Sequence, residues 1–243
     1  MSNIRFNRRR LLSNSLSLIR QTIEKYQLLN EHSRFIIGLS GGLDSMVLAL
    51  LIKEYNLHFN QNWDIRLLHI DHGFSQSDIN GLKNFAVEIG FPLKTIKTNI
   101  ARSVARAKDK CWRCSWKRRK LLLENAEKYN IFNIALGHHQ NDVVEALLLK
   151  MFFNSDISTL VPKQSVIHGR FYFIRPLYSF TRERIEKIGQ AYNITAIIKQ
   201  CPYRQDSKRT MVRDLLEQLG QYNPQVVSSI FKSLGNIKTS YLP

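Results

Sequence analysis

A short loop at residues 40–45 has the composition of a phosphate-binding site. Residues 35–52 read FIIGLSGGLDSMVLALLI, so an apolar strand pattern ends at two glycines and a helical apolar pattern follows directly. The first N–H groups of a helix have no partner within it, and the helix dipole favours a negative charge there. Glycine permits a tight turn and leaves room for oxygen atoms. This context predicts a bound nucleotide.

The side chains of the same loop suit phosphate and a divalent cation. The hydroxyls of Ser40 and Ser45 can donate to phosphate oxygens, and Gly41 and Gly42 lie between them. A carboxylate would repel phosphate unless a cation lay beside it, so Asp44 is interpreted as a Mg²⁺ ligand. The loop has neither the lysine of a Walker A motif nor the spacing of a GxGxxG motif.

The chain contains three cysteines, and two of them form a CxxC pair. Cys111 and Cys114 lie in CWRCSWKRRK, and Cys201 lies in KQCPYRQDSKR. Such a set fits a redox couple, a structural zinc site or an iron–sulfur site, and the spacing alone does not decide among them. A redox couple would not need the third cysteine, and structural zinc would need a fourth ligand. Three thiolates on a [4Fe-4S] cluster would leave one iron open.

Strand-like and helical patterns alternate along the chain. Apolar strand-like runs lie at about 34–39, 65–71, 92–97, 131–136 and 171–175. Helical patterns cover about 10–29, 45–55, 78–89, 115–129, 141–152, 181–193, 207–219 and 224–234. This alternation predicts an α/β fold, a doubly wound parallel five-stranded sheet with a C-terminal helical extension.

Polar residues directly after these strand-like runs are candidates for the site, because ligands of doubly wound sheets bind beyond the carboxyl ends of the strands. Asp71 in HIDHG is predicted to meet adenosine or to cap a turn. Gly137 and His138 in GHHQND are predicted to approach the phosphates. Asp142 is expected to orient Mg²⁺ or substrate, and it is predicted to share a helix face with His138 and Glu145.

The predicted organisation is a basic N-terminal helix at residues 1–30 followed by one domain at 31–243. The composition shifts near residue 155, and residues 155–243 are expected to continue the same body and close over the site. No run of about 18 apolar residues is present, and the N-terminus lacks the apolar core of a secretory signal. We therefore expect a cytoplasmic protein without a membrane segment.

The chain is strongly basic. It has 36 Lys and Arg against 19 Asp and Glu, a formal net charge of +17. Such an excess indicates a polyanionic partner, because each neutralised phosphate releases counterions. The candidate RNA contacts are Arg8, Arg9 and Arg10 on the first helix and Lys117, Arg118, Arg119 and Lys120 after CxxC, with Arg175, Arg209 and Arg213 as weaker candidates.

The loop SGGLDS resembles the PP-loop of the ATP pyrophosphatase superfamily, whose members cleave ATP between the α and β phosphates and use AMP to activate an oxygen. The order PP-loop, CxxC, GHHxxD, RPL and late cysteine is similar to the TtcA family, the tRNA 2-thiocytidine synthetases. The similar segments are CWRCSWKRRKLLL, NIALGHHQNDVVEALLLKMFF, FIRPLYSFTRERI and QCPYRQDSKRTMVRDLL.

This resemblance implies an ATP-dependent tRNA sulfurtransferase in which Cys111, Cys114 and Cys201 bind a [4Fe-4S] cluster. A tRNA pyrimidine oxygen would attack the α-phosphorus of MgATP, and sulfur would then replace AMP. Asp44 and Asp142 would act at the reaction centre. The implied partners are tRNA and a sulfur donor such as a cysteine desulfurase, and a homodimer is one oligomeric state to test.

Some residues depart from the TtcA pattern. Leu43 stands where these synthetases often carry lysine, and HIDHGF is similar to a segment of the tRNA(Ile)-lysidine synthases. A lysidine synthase-like ligase, which needs no cluster, is therefore the alternative enzyme. A zinc-stabilised RNA-binding module is the non-enzymatic alternative, but it leaves SGGLDS unexplained.

Overall fold

The computed structural model describes residues 2–73, 78–197 and 208–241. The described strands are β1 (Arg34–Gly38), β2 (Asp64–Asp71), β3 (Leu93–Lys97), β4 (Asn133–Ala135), β5 (Lys163–Val166) and β6 (Phe171–Ile174). They form one sheet with the order β3-β2-β1-β4-β6-β5. All neighbouring pairs are parallel except β5 and β6, which are antiparallel. The predicted doubly wound parallel architecture is confirmed.

The predicted number of strands was wrong, because β5 adds an antiparallel edge to the five expected strands. Its four residues read KQSV and have no apolar run. The strand exists because a tight turn at 167–170 brings it back along β6, with Lys163 paired to Ile174 and Val166 to Phe171. Such a partner-dependent edge strand leaves little signal in sequence.

The described helices bracket this sheet. They are α1 (Ser2–Tyr26), α2 (Leu43–His58), α3 (Ile79–Ile89), α4 (Ile100–Val104), α5 (Lys110–Lys128), α6 (Gln140–Asn154), α7 (Arg182–Ala191), α8 (Lys208–Tyr222) and α9 (Val226–Ser233), followed by a 3₁₀ turn at Thr239–Tyr241. The short α4 was not predicted, since five residues are too few to show a helical period. Among the residues so described, no helix is long and apolar enough to cross a membrane.

Helix α1 packs on the domain through its apolar side, as predicted. Leu16 and Ile19 are buried in the main core, and Leu11, Leu12 and Leu18 pack partly buried against it. Arg8, Arg9 and Arg10 remain exposed on the same helix. Arg8 stacks on the ring of Tyr192, with its guanidinium carbon 3.9 Å from the ring centroid.

The order of the strands fixes the position of the site. β1 lies between β2 and β4, so the connections from these central strands leave in opposite directions. A crevice opens beyond the carboxyl ends of two adjacent strands where the winding reverses in this way. Here those strands are β1, which is followed by the SGGLDS loop, and β4, which is followed by GHHQND.

Candidate active site

The loop after β1 is held in shape by its two serines. The Ser45 hydroxyl donates to the Gly42 carbonyl oxygen at 2.9 Å and accepts from the Ser40 N–H at 3.1 Å. The Gly42 N–H donates to the Ser40 hydroxyl at 3.3 Å. Gly41 has a φ of +79°, which a side chain would disfavour. Ser45 is buried and shapes the loop, whereas Ser40 is exposed to a ligand.

Helix α2 begins without a side-chain cap. Its N-cap is Gly42, in an extended conformation, and no side-chain cap is present among the described residues. Asp44 lies in that first turn and lines the cavity described below. Backbone donors and the positive end of the helix dipole are therefore available to an anion.

Helix α6, on the neighbouring strand, begins with a complete cap. The Nδ1 atom of His139 accepts from the Asn141 N–H at 3.3 Å, and the Asp142 carboxylate accepts from the His139 N–H at 3.1 Å. An accepting Nδ1 places the ring proton on Nε2. That nitrogen lies 3.5 Å from Asp142 Oδ2 and 3.9 Å from Asp44 Oδ1. His139 therefore lies between the two carboxylates.

His138 lies before α6, so the predicted helix face shared with Asp142 and Glu145 was wrong for this residue. The helix starts only at Gln140, because the extended His139 is its N-cap. The His138 Nδ1 atom is buried and has no hydrogen-bond partner within the described residues. Burial lowers the pKa of His138 to about 3 despite the opposing effect of Asp142. The imidazole is therefore neutral and lines the cavity.

Gly137 brings the two loops into contact. A Cβ atom at this position would lie 3.0 Å from the Asp44 carbonyl carbon and 3.0 Å from the Ser45 nitrogen. Both are backbone atoms that cannot move away cheaply. Glycine at 137 thus allows the start of α2 to lie directly against the loop after β4.

A cavity of about 210 Å³ joins these elements. Six of the predicted nucleotide, metal and catalytic residues line it. The predicted RNA contact Arg118 and the weaker candidate Arg209 line it too, as does His72, which was not a predicted site residue. The six are Ser40, Asp44, Ser45, Gly137, His138 and Asp142. His72 could have been found by the signal used for Asp71, because it directly follows Asp71, the last residue of strand β2.

Asp71 has a different role in the described structure. Its carboxylate accepts from the Gly73 N–H at 3.0 Å, so it caps the turn that follows β2. It is not among the residues that line the cavity between the described loops. The predicted adenosine contact of Asp71 therefore stays a prediction.

The two cavity carboxylates differ in their electrostatics. The pKa of Asp44 is raised because the cavity walls bury it and Asp142 repels it, although His139 and two arginines oppose this. The pKa of Asp142 is lowered despite its burial, because His139, the His139 backbone N–H and Arg209 all favour the ionised carboxylate. Asp142 is thus firmly ionised, and Asp44 is the carboxylate that a cation would stabilise most.

Three arginines converge on one buried carboxylate at the edge of the cavity. Glu145 is 1% exposed and binds Arg213 through two hydrogen bonds of 2.7 and 3.0 Å. Arg209 lies 3.2 Å and Arg182 3.5 Å from the same carboxylate. The group joins α6, α7 and α8. It leaves an excess of positive charge beside the cavity, which favours a polyphosphate.

Helix α5 brings the CxxC pair toward the cavity. Cys111 is exposed and Cys114 is half-buried. Arg118 and Leu122, which line the cavity, follow Cys114 at intervals of four residues. Residues at such intervals lie on one face of a helix. The two thiols therefore lie on the stripe of α5 that leads into the cavity.

The predicted metal set extends outside the described residues, because Cys201 lies there. Within residues 2–73, 78–197 and 208–241, no three His, Cys, Asp or Glu side chains form a metal-binding group. Two thiols one turn apart fit two ligands of an iron–sulfur cluster or of zinc. The backbone N–H of Ile197, four residues before Cys201, donates to the Gly41 carbonyl oxygen at 2.9 Å.

The basic run after CxxC is divided among several environments. Arg118 enters the cavity, and the Lys117 ammonium donates to the Ser103 hydroxyl at 2.8 Å. Arg119 is half-buried, while Lys120 is exposed and lies 3.7 Å from Glu124. Of the weaker candidates, Arg175 is 2% exposed, and its guanidinium binds the Val161 carbonyl and the Gln164 side chain. Arg175 therefore holds the connection to β5.

Leu43, the residue that departs from the TtcA pattern, has a packing role. It is half-buried as the first residue of α2, and its Cδ1 lies 2.7 Å from the position that a Cβ on Gly189 would take. Gly189 belongs to α7. The aliphatic side chain at 43 therefore attaches the phosphate-loop helix to α7.

A doubly wound sheet with an uncapped helix start and a carboxylate at its switch point defines a nucleotide-binding α/β protein. The chain belongs to the PP-loop domain family, which matches residues 13–219. This assignment confirms the resemblance of the loop after β1.

Curated relatives extend the similarity over most of the chain. A protein of Coxiella burnetii (strain RSA 493 / Nine Mile phase I) named tRNA-cytidine(32) 2-sulfurtransferase is 28% identical over 229 residues, 92% of this chain and 90% of its own. A protein of the same name from Nitrosospira multiformis is 26% identical and covers 93% of this chain and 77% of its own. These relatives confirm that most of the chain is similar in sequence to the tRNA 2-thiocytidine synthetases.

Solved structures support the fold. The U34-tRNA thiolase NcsA from Methanococcus maripaludis with its [4Fe-4S] cluster superposes with a TM-score of 0.77 at 22% identity, over 94% of this chain and 79% of that chain. An NH3-dependent NAD synthetase from Campylobacter jejuni gives a TM-score of 0.52 at 14% identity, over 96% of this chain and 94% of that chain. At these identities the likeness concerns the fold alone.

Proposed function

We propose that this protein is an ATP-dependent tRNA sulfurtransferase that forms 2-thiocytidine through an adenylated base. The observation that carries the proposal is one shared cavity. The uncapped start of α2 with Asp44 forms one wall, and Arg118, on the CxxC stripe of α5, forms another. The two candidate cluster thiols precede Arg118 on the same helix by about one and two turns, which supports a site that combines ATP and the cluster. The relatives named tRNA-cytidine(32) 2-sulfurtransferase support the same reaction.

The residues of the cavity fit MgATP. The α2 start offers backbone donors to the phosphates, and Ser40 adds an exposed hydroxyl. Mg²⁺ commonly takes one or two carboxylates together with phosphate oxygens. Asp44 and Asp142 are the two carboxylates in reach of the same imidazole, that of His139. Arg209 adds a cation to the cavity wall.

In the proposed first step, a carbonyl oxygen of the tRNA base bonds to the α-phosphorus of ATP. The bond from that phosphorus to the bridging oxygen breaks, and pyrophosphate leaves. Negative charge grows on the phosphate oxygens, and Arg118 and Arg209 are placed to balance it. In the second step sulfur bonds to the activated carbon and AMP departs with the former carbonyl oxygen.

Cys111, Cys114 and Cys201 are the proposed cluster ligands. Held by these three cysteines, a [4Fe-4S] cluster would have one iron that no cysteine ligates, and this iron would carry the incoming sulfur. Five further points stay predictions. They are Asp71 as an adenosine contact, the RNA contacts of α1 and α5, a sulfur donor such as a cysteine desulfurase, a homodimer and a cytoplasmic location.

The direct test is to express the chain in a bacterial strain that lacks 2-thiocytidine and to measure tRNA nucleosides by mass spectrometry. We expect 2-thiocytidine to return with the wild-type chain and to be absent with Cys114→Ser. The matched control is Ser115→Ala, which changes the adjacent residue on the same helix and should restore the nucleoside. If both variants restore 2-thiocytidine, the CxxC pair has no part in the reaction.

Metal analysis separates the alternatives. Anaerobic purification should give about four irons per chain, as a [4Fe-4S] cluster requires. Stoichiometric zinc without iron would contradict the thiolation proposal and favour the RNA-binding module. ATP turnover without any cluster, with lysine incorporated into tRNA, would instead identify a lysidine synthase-like ligase.

A further inference from the structure

Two tryptophans of α5 are exposed beside the CxxC pair. Trp112 is 61% exposed and Trp116 is 48% exposed, whereas Trp63 is only 6% exposed. Indole rings normally bury most of their surface, and exposed ones are typical of binding surfaces. Because the two residues are four apart on one helix, their side chains lie on the same face.

The face that carries Trp112 and Trp116 differs from the face that lines the cavity. At roughly 100° per residue, Trp112 and Trp116 lie roughly 120° and 160° around the helix axis from Arg118. Arg118 marks the cavity side of α5, together with Cys114. The aromatic face is therefore directed away from the nucleotide but begins next to the exposed Cys111.

Cations surround the two rings. The segment Lys110–Lys120 contains six Lys or Arg residues and no acidic residue; two of the six point elsewhere, since Arg118 enters the cavity and Lys117 donates to Ser103. The Lys120 ammonium lies 5.6 Å from the centroid of the Trp116 ring. The adjacent acidic residues Asp109 and Glu124 pair with Arg113 and Lys120, but all four side chains of these pairs are about half exposed. Phosphates can compete for such exposed pairs, because water and salt already weaken them.

Aromatic faces interleaved with cations suit single-stranded RNA. Unpaired bases stack on indole rings while Lys and Arg neutralise the phosphates between them. Paired bases offer no free face. A second copy of this chain would carry the same cationic surface and would meet it with like charge. The charge around the rings therefore favours an RNA over self-association.

We propose that Trp112 and Trp116 form a stacking surface for unpaired bases of the tRNA loop that contains the target nucleotide. The inference rests on the proposed function, which supplies tRNA as the substrate. A target base must leave its own stack to reach a cavity, and its neighbours then need a surface to stack on. The aromatic face of α5 begins next to the exposed Cys111, the first residue of the CxxC pair.

The test compares two RNA probes with the full-length chain, without ATP. One probe is a hairpin whose loop has about seven nucleotides, the size of a tRNA anticodon loop. The other probe is a blunt duplex with the same number of phosphates. We expect Trp112→Leu and Trp116→Leu each to weaken hairpin binding roughly tenfold and to leave duplex binding unchanged, because leucine keeps apolar area but loses the stacking face. Trp116→Phe should retain most of the affinity.

Two control variants show whether the effect is specific. Tyr222→Leu changes an aromatic residue that is 89% exposed on α8, and it should leave both affinities unchanged. Lys120→Gln should weaken both probes alike and reduce the salt dependence by about one phosphate contact. Hairpin binding should also quench the fluorescence of Trp112 and Trp116, while the duplex should not.

Several results would overturn the stacking surface. Equal losses of affinity for hairpin and duplex would indicate a charge or folding effect. Unchanged hairpin binding in a variant that carries both Trp112→Leu and Trp116→Leu would exclude stacking. A shift from dimer to monomer with unchanged RNA affinity would identify a self-association surface instead. Failure to restore 2-thiocytidine, with selective loss of hairpin binding in the leucine variants, would contradict the proposed function and support the stacking surface.

Discussion

Two helices begin side by side at the switch point of the sheet, and they begin in opposite ways. Helix α2 follows β1 with Gly42 as its N-cap and no side-chain cap. Helix α6 follows β4 with a reciprocal cap made by His139 and Asp142. Gly137 allows the second helix start to lie against the first.

This difference assigns different tasks to the two helix starts. An uncapped start has donors left for a ligand, whereas a capped start has already used them. The anion is therefore expected at α2. The capped start of α6 instead fixes a carboxylate and an imidazole whose Nε2 lies 3.9 Å from Asp44 Oδ1. The start of α2 is therefore suited to bind phosphate, and the start of α6 is suited to hold the Asp142 and His139 side chains in a fixed position.

The largest expected effect is on turnover at the uncapped start. Asp44→Ala should reduce the conversion of ATP to pyrophosphate by about a thousandfold or more, since loss of a metal-ion ligand removes several kcal/mol of transition-state stabilisation. Affinity for tRNA should be largely unchanged. Release of labelled pyrophosphate and filter binding of tRNA measure the two quantities.

The matched control for Asp44→Ala is Glu54→Ala, which removes a carboxylate from the same helix. It lies ten residues further along α2, about 15 Å from Asp44. This variant should keep full turnover. Equal losses in the two variants, or full turnover in Asp44→Ala, would remove Asp44 from the mechanism.

The next effect concerns stability on the capped side. Glu145→Ala should lower the free energy of unfolding by about 2 to 3 kcal/mol, because it leaves the half-buried Arg213 without its partner. The cost is below that of a fully buried pair, since Arg182 and Arg209 reach solvent. Urea unfolding measures it, and Glu145→Gln should retain part of the stability. A variant with normal stability but no turnover would place Glu145 in the chemistry instead.

A third prediction tests the uncapped start directly. Gly42→Asp should leave the melting temperature equal or slightly raised, because aspartate is a good N-cap and the φ of −81° at this position tolerates a side chain. The same carboxylate should repel phosphate and weaken ATP binding by roughly tenfold, a cost of about 1.4 kcal/mol. Scanning calorimetry measures the melting temperature, and titration calorimetry measures the affinity for ATP.

The control for Gly42→Asp is Gly42→Ala, which adds a side chain without charge. A Cβ there would lie 3.4 Å from the Ser40 hydroxyl oxygen, its nearest neighbour. Gly42→Ala should change ATP affinity less than Gly42→Asp does. Equal or stronger ATP binding in Gly42→Asp would show that the triphosphate does not lie at the α2 start.

The sequence was sufficient for the uncapped helix start and less so for the capped one. Glycines, hydroxyls and a strand-to-helix change of period are local signals, and they correctly brought Ser40, Asp44 and Ser45 to the cavity. The predicted start of α6 at about 141 was correct within one residue, because the helix begins at Gln140. The predicted face shared by His138, Asp142 and Glu145 was wrong for His138, because histidine is not a usual N-cap residue and the cap at His139 gave no local signal.

Other features depend on contacts between distant segments. Arg118 belongs to a run of four cations, and only the packing of α5 on the sheet decides which one enters the cavity. Leu43 contacts Gly189, which is far away in sequence. Strand β5 is ordered by its pairing with β6. Local patterns contain no information about such partners, so these positions required the fold.

The last prediction is a pH dependence of stability from His72, which lines the cavity and directly follows strand β2. Burial, assisted by Arg118, lowers the pKa of His72 from 6.5 to about 4. Between these values the unfolded chain binds a proton that the folded chain does not. The free energy of unfolding contributed by His72 is therefore complete above pH 6.5 and is lost as the pH falls toward 4.

His72→Gln should make the free energy of unfolding less dependent on pH in this window, because glutamine does not titrate. Urea unfolding at pH 7.5 and pH 5 measures the difference for both proteins, and the wild-type chain should lose more stability at pH 5. His69→Gln is a weaker comparison, since its Nδ1 also bonds the Leu39 carbonyl oxygen at 2.8 Å. An identical pH dependence in His72→Gln and wild type would mean that the pKa of His72 is the same in the folded and the unfolded chain. Below pH 6.5 the anion site would then border a cationic imidazole, and the charge at the uncapped start would be higher than the structure implies.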